Sequence, residues 1–80
     1  MEVKVRLFAS LKDRVGKERI QVQVSEPTTV GALLEVLASV QPKLAPALSS
    51  ALVAVNQEFA FADTLLKPGD EVALFPPVSG

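Results

Sequence analysis

The run Phe75-Pro76-Pro77-Val78-Ser79-Gly80 carries the most suggestive chemistry in the sequence. No charged side chain follows Glu71, yet the run ends on a glycine and its carboxylate. Pro76 and Pro77 lack a backbone N–H, so a strand that reaches Phe75 cannot go on pairing beyond it. Both favour an extended polyproline path, which holds the following residues away from a folded body with little entropy left to lose. The five residues from Pro76 to Gly80, extended at ~3.3 Å each, reach about 16 Å. A glycine at the tip has no Cβ, so it can pass through a narrow channel and present its carboxylate unhindered. The physical description is a carboxylate on a short, stiff, uncharged arm. The bland alternative is a frayed end that happens to hold two prolines.

Composition excludes most other chemistry. With no His and no Cys there is no Ser-His or Cys-His pair, no disulfide, and no usual set of zinc or iron ligands. None of the nine Asp and Glu residues sits in a suggestively apolar setting. Tyr and Trp are missing, which leaves nucleic acid without its usual stacking platforms. Charge is uneven: residues 1–19 carry a net +3 and residues 20–80 a net −4. Six Lys and Arg in the first segment are too few for a phosphate footprint. They read either as a solvated hairpin or as a basic face that steers an acidic partner. No apolar run approaches the ~18 residues of a membrane span, and the alternating start "MEVKVRLF" is unlike a signal peptide. A cytoplasmic protein is expected, with no metal, no bound cofactor, no nucleic-acid or membrane partner, and no catalysis on its own.

The elements that must hold such an arm are legible in the periodicity. Val3, Val5 and Leu7 alternate with Lys4, Arg6 and Phe8, and Ile20, Val22 and Val24 alternate with Gln21 and Gln23. Both stretches read as strands, joined through "SLKDRVGKE" by a hairpin-type connection containing Gly16. The period then changes. Thr29 or Thr28 can cap a helix whose stripe is Val30, Leu33, Leu34, Leu37 and Val40, and Pro42 stops it. "KLAPALSS" reads as a short turn of helix, broken by Pro46. "ALVAVN" reads as a third strand, Asn56-Gln57-Glu58 as a turn and "FAFA" as a short fourth strand. Lys67-Pro68-Gly69-Asp70 fits a type II turn before a last strand over Glu71–Phe75.

This order, two strands, a helix and more strands, is that of the ubiquitin-like β-grasp: an α+β fold with a mixed sheet and one main helix packed on one face. The domain is expected over residues 1–75 and the extended tail over 76–80. One helix covers only one sheet face, so the outward positions should be polar. Strand phase nevertheless sends Phe8 outward beside Lys4 and Arg6, and Phe75 outward beside Glu71 and Ala73. If the first and last strands are neighbours, the two rings meet on the uncovered face, with Phe59 as a third candidate. An apolar patch rimmed by charge is the anatomy of a protein interface. The alternative is that the strand ends twist and the rings cover the edge of the core.

"KPGDEVALFPPVSG", with "LFAS" near the start and "AVNQ" in the middle, resembles the small-subunit family of molybdopterin synthase, which are ubiquitin-like sulfur carriers. The resemblance spans essentially the whole chain, and the Phe-Pro-Pro-Val ending is its most specific part. It implies that an E1-like enzyme adenylates the terminal glycine carboxylate with ATP, and that a sulfur donor protein then supplies the atom for a thiocarboxylate. Pro76, Pro77, Val78 and Ser79 would enter the large synthase subunit, where the sulfur passes to a cyclic pyranopterin precursor. Phe8, Phe59 and Phe75 stand where the family places interface residues, and the implied assembly is a heterotetramer. The family ends in Gly-Gly where this sequence reads Ser79-Gly80, so Gly80 is either the reactive terminus or the residue before it. Two other readings stay open: a carrier for thiazole synthesis or tRNA thiolation, and a β-grasp interaction module with an inert tail.

Overall fold

The computed structural model describes residues 1–77. β1 (Glu2–Leu7) and β2 (Arg19–Gln23) pair antiparallel, with Val3 opposite Val22 and Arg6 opposite Arg19. The connection between them is a helix and not the expected hairpin loop. α1 (Ala9–Val15) buries Leu11 in the core and packs Val15 against it. Those two residues stand four apart and so share one helical face. Gly16, left-handed at φ +78°, closes α1 by donating its N–H to the Lys12 carbonyl at 2.8 Å.

α2 (Val30–Val40) starts as expected from Thr29, whose Oγ1 accepts from the Ala32 N–H at 3.2 Å. Its first free donors are also satisfied: the Val30 N–H reaches the Thr64 carbonyl and the Gly31 N–H the Ala62 carbonyl, both at 2.9 Å. A Cβ on Gly31 would lie 3.2 Å from that Ala62 oxygen, so glycine here permits a close approach of the 60–64 segment. Val30, Leu33 and Leu37 are buried, whereas Val40 in the last turn is 54% exposed and leaves the expected stripe. In α3 (Ala45–Leu48), Pro46 occupies the first turn and starts the helix instead of breaking it, because no N–H is needed there.

β4 (Leu52–Val55) and β5 (Glu58–Phe59) form a two-residue hairpin through Asn56 and Gln57, both left-handed at φ +51° and +70°. The fourth strand is thus Glu58–Phe59 and not "FAFA". β6 (Leu65–Leu66) pairs with β3 (Thr28–Thr29) in a small ladder that sequence reasoning missed. The turn over Lys67–Asp70 is as expected, with Gly69 at φ +90° and the Asp70 N–H donating to the Lys67 carbonyl at 3.0 Å. β7 (Glu71–Phe75) runs through the middle of the sheet, whose order is β2-β1-β7-β4-β5. β1 and β7 are parallel neighbours, with Val5 opposite Val72 and Leu7 opposite Leu74. These four side chains, together with Val3, Leu33, Leu37 and Leu44, are fully buried and form the centre of the core. The helices cover one face of the mixed sheet, which is the α+β β-grasp arrangement.

Candidate functional site

Alternation along β1 and β7 leaves the second set of side chains on the open face. Sheet register places Arg6, Ala73, Ala54 and Phe59 side by side across β1, β7, β4 and β5. In the next row Phe75 lies opposite Leu52. Phe8, one residue past β1, is held by its N–H, which donates to the Leu74 carbonyl at 3.2 Å. Its ring stacks on Phe75 with centroids 4.6 Å apart and planes 13° from parallel. The structure therefore brings Phe8 and Phe75 together and puts Phe59 across the same face, 76% exposed. The two alanines keep the middle of the face low. The result is a concavity of about 270 Å³ walled by the three phenylalanines, with Arg6, Gln57 and Glu71 at its rim.

Arg6 is the most constrained charge on this face. Its guanidinium carbon lies 5.1 Å from the Phe8 ring centroid. One terminal nitrogen is 3.6 Å from the Glu18 carboxylate and the other 3.7 Å from that of Glu71. Exposed ion pairs of this kind contribute little to stability, but they do fix where the cation sits. Lys4, Arg6 and Arg19 share a neighbouring polar concavity with Asp70 and Glu71. Charge around the open face is therefore mixed and not uniformly basic. Asn56 steadies the far end: its Oδ1 accepts from the Glu71 N–H and its Nδ2 donates to Asp70, both at 2.9 Å.

The last strand stops at Phe75, Pro76 is half-buried, and Pro77 is exposed. The tail thus leaves the sheet directly beside the stacked pair. Val78, Ser79 and Gly80 lie outside the described residues. Sequence reasoning missed Leu52 and Ala54; the signal was their alternation with the buried Val53, once β4 is known to pair with β7. Among the described residues, no three His, Cys, Asp or Glu side chains cluster to hold a metal ion. No helix among them is long and apolar enough to cross a membrane.

A mixed sheet with helices on one face, an apolar patch on the other and a proline-led tail beginning beside that patch define a ubiquitin-like β-grasp protein. The ThiS family model matches residues 5–80, and the chain belongs to that family. It is 41% identical to the molybdopterin synthase sulfur carrier subunit of Escherichia coli over 98% of each chain. It is 35% identical to that of Dictyostelium discoideum over 99% of this chain and 95% of the relative. Among solved structures, small archaeal modifier protein 1 from Haloferax volcanii superposes with a TM-score of 0.87 at 32% identity, covering 96% of this chain and 98% of the other. A chain from the complex of subunits 1 and 2 of the molybdopterin-converting factor of Helicobacter pylori superposes with a TM-score of 0.71 at 26% identity, covering 100% and 99%. The resemblance carried by the Phe-Pro-Pro-Val ending thus holds over the whole chain.

Proposed function

We propose that this chain is the sulfur-carrying small subunit of a molybdopterin synthase. The observation that carries the reading is placement. The tail starts at Phe75, the ring stacked on Phe8 on the open sheet face, so a partner that covers this face also receives the tail. Full-length likeness to proteins named as sulfur carrier subunits supports it. In this reading the glycine carboxylate, at Gly80 or a residue after it, attacks the α-phosphorus of ATP on an E1-like enzyme and releases pyrophosphate. The terminal sulfur of a donor-protein persulfide then displaces AMP. A second thiol attacks the resulting acyl disulfide at the donor sulfur, so that a disulfide forms there and the thiocarboxylate is released. Inside the large subunit that sulfur attacks a carbon of the pyranopterin precursor and displaces an oxygen substituent. Water then cleaves the acyl–sulfur bond, leaving the sulfur on the pterin and freeing the carboxylate. A tethered nucleophile acts at high effective concentration, which is the use of a stiff arm.

The partner subunits supply the catalytic groups, which suits a chain without His or Cys. This chain binds no cofactor itself, ATP being consumed by the activating enzyme. The cytoplasm, and an assembly of two small and two large subunits, belong to the same proposal. The test is an intact-mass measurement after incubation with the activating enzyme, ATP and a sulfur donor. The mass should rise by the difference between one sulfur and one oxygen; an unchanged mass with no ATP-dependent adenylate overturns the reading. The fit to the archaeal modifier protein favours a second reading, attachment of the chain to other proteins through its carboxyl end. In that case the same incubation with cell protein yields conjugates instead of sulfur transfer.

A further inference from the structure

Among the described residues, the three most exposed large apolar side chains are Phe59 (76%) on the edge strand β5, Phe61 (76%) just beyond it, and Leu65 (64%) on β6. Phe59 belongs to two depressions. It walls the open-face concavity, and it also lines an apolar groove of about 510 Å³ with Phe61, Leu34, Leu48 and Leu52. Apolar surface therefore continues from the stacked Phe8–Phe75 pair around the edge of the sheet to the side of α2 and α3.

Phe61 is held in place without being buried. Its N–H donates to Thr64 Oγ1 and its carbonyl accepts from the Thr64 N–H, both at 3.0 Å. The next residues are tied to the start of α2 through the Ala62 and Thr64 carbonyls, which accept from Gly31 and Val30 at 2.9 Å. An ordered turn thus presents a bare aromatic ring to solvent. Such a ring is a liability in isolation, but because its backbone is already held, docking has only the side-chain torsions left to order. Carboxylates flank the ridge: Glu58 precedes Phe59 and Asp63 follows Phe61 by two residues, both exposed.

Area points the same way. Strands spaced by ~4.8 Å put β5 about 14 Å from β1, so the two open-face rows cover on the order of 200 Å² in projection. A stable interface buries about 800 Å² on each partner. The open-face rows alone fall short of that, and the adjoining apolar surface lies around β5.

The geometry points to the Phe59–Phe61 ridge as a second, continuous part of the docking surface. The large synthase subunit receives it in an apolar cleft with lysine or arginine at its mouth, and so clasps the β5 edge from both sides. This rests on the reading that the large subunit covers the open face. The test uses the full chain and purified large subunit. Phe61→Ala should weaken the complex by about tenfold or more, as loss of an anchoring aromatic does, and leave the urea midpoint unchanged. The double variant Glu58→Lys, Asp63→Lys should bind more weakly and flatten the salt dependence of association. Wild-type affinity in Phe61→Ala overturns the ridge, and an unchanged salt slope in the double variant overturns its basic partner. Phe75→Ala tells the two readings apart. If it weakens binding while Phe61→Ala does not, only the ridge falls; if neither does, the open-face reading falls as well.

Discussion

Replacing Phe59, Phe75 and Leu74 in turn by alanine separates docking from packing, because the two phenylalanines stand on the open face of the sheet while Leu74 points from β7 into the core. A phenylalanine has roughly 200 Å² to bury. With 76% of Phe59 exposed, only about 50 Å² is covered, which at ~25 cal/mol per Å² sets an upper limit near 1 kcal/mol for its part in folding. Phe75 is half-buried and stacked on Phe8; about 100 Å² plus the stacking contact gives about 3–4 kcal/mol. Leu74 is 0% exposed, and its truncation should cost about 2–5 kcal/mol. Binding should follow a different order. Both phenylalanines should lose about 2 kcal/mol or more of affinity for the large subunit, while Leu74→Ala, wherever it stays folded, should lose far less. Urea denaturation of the isolated variants and calorimetric titration with the large subunit give the two quantities. A Phe59→Ala chain as destabilised as Leu74→Ala, with unchanged affinity, would refute the assignment of the sheet faces.

Deleting Ser79 and Gly80 should abolish thiocarboxylation in the intact-mass assay and keep the unfolding midpoint, since the last strand ends at Phe75. Replacing Pro76 and Pro77 by glycine should weaken partner binding by about 1–2 kcal/mol through added freedom in the arm; an unchanged dissociation constant would leave the prolines only the task of ending β7. Gly69→Ala forces a Cβ into a left-handed turn at φ +90° and should lower stability by about 1 kcal/mol, read as a shift of the urea midpoint.

Much of this protein follows from local pattern. Two-residue alternation fixes which side chains of β1 and β7 face the helices, and therefore that Phe8 and Phe75 face away from them. The Thr29 cap and the Lys67–Asp70 turn were legible for the same reason: each depends on groups a few residues apart. α1 was missed because it is only seven residues long and its Phe8 N-cap carries no capping side chain; Leu11, Val15 and Gly16 were the available signal. The β3–β6 ladder was missed because strands of two residues carry no period, and their partners lie far apart in sequence.

The sequence by itself determined the fold class, the absence of His and Cys, and the proline-led end of β7. Only the tertiary structure decided that Phe8 and Phe75 stack, that Ala54 and Ala73 lower the middle of the face, and that Arg6 is held between Glu18 and Glu71. It also decided that Val40 leaves the core while Phe61 stands exposed on an ordered turn. The physical reason is range. Side-chain phase and turn chemistry are set by neighbours in the chain, whereas stacking, floor depth and exposure depend on which strand lies alongside which.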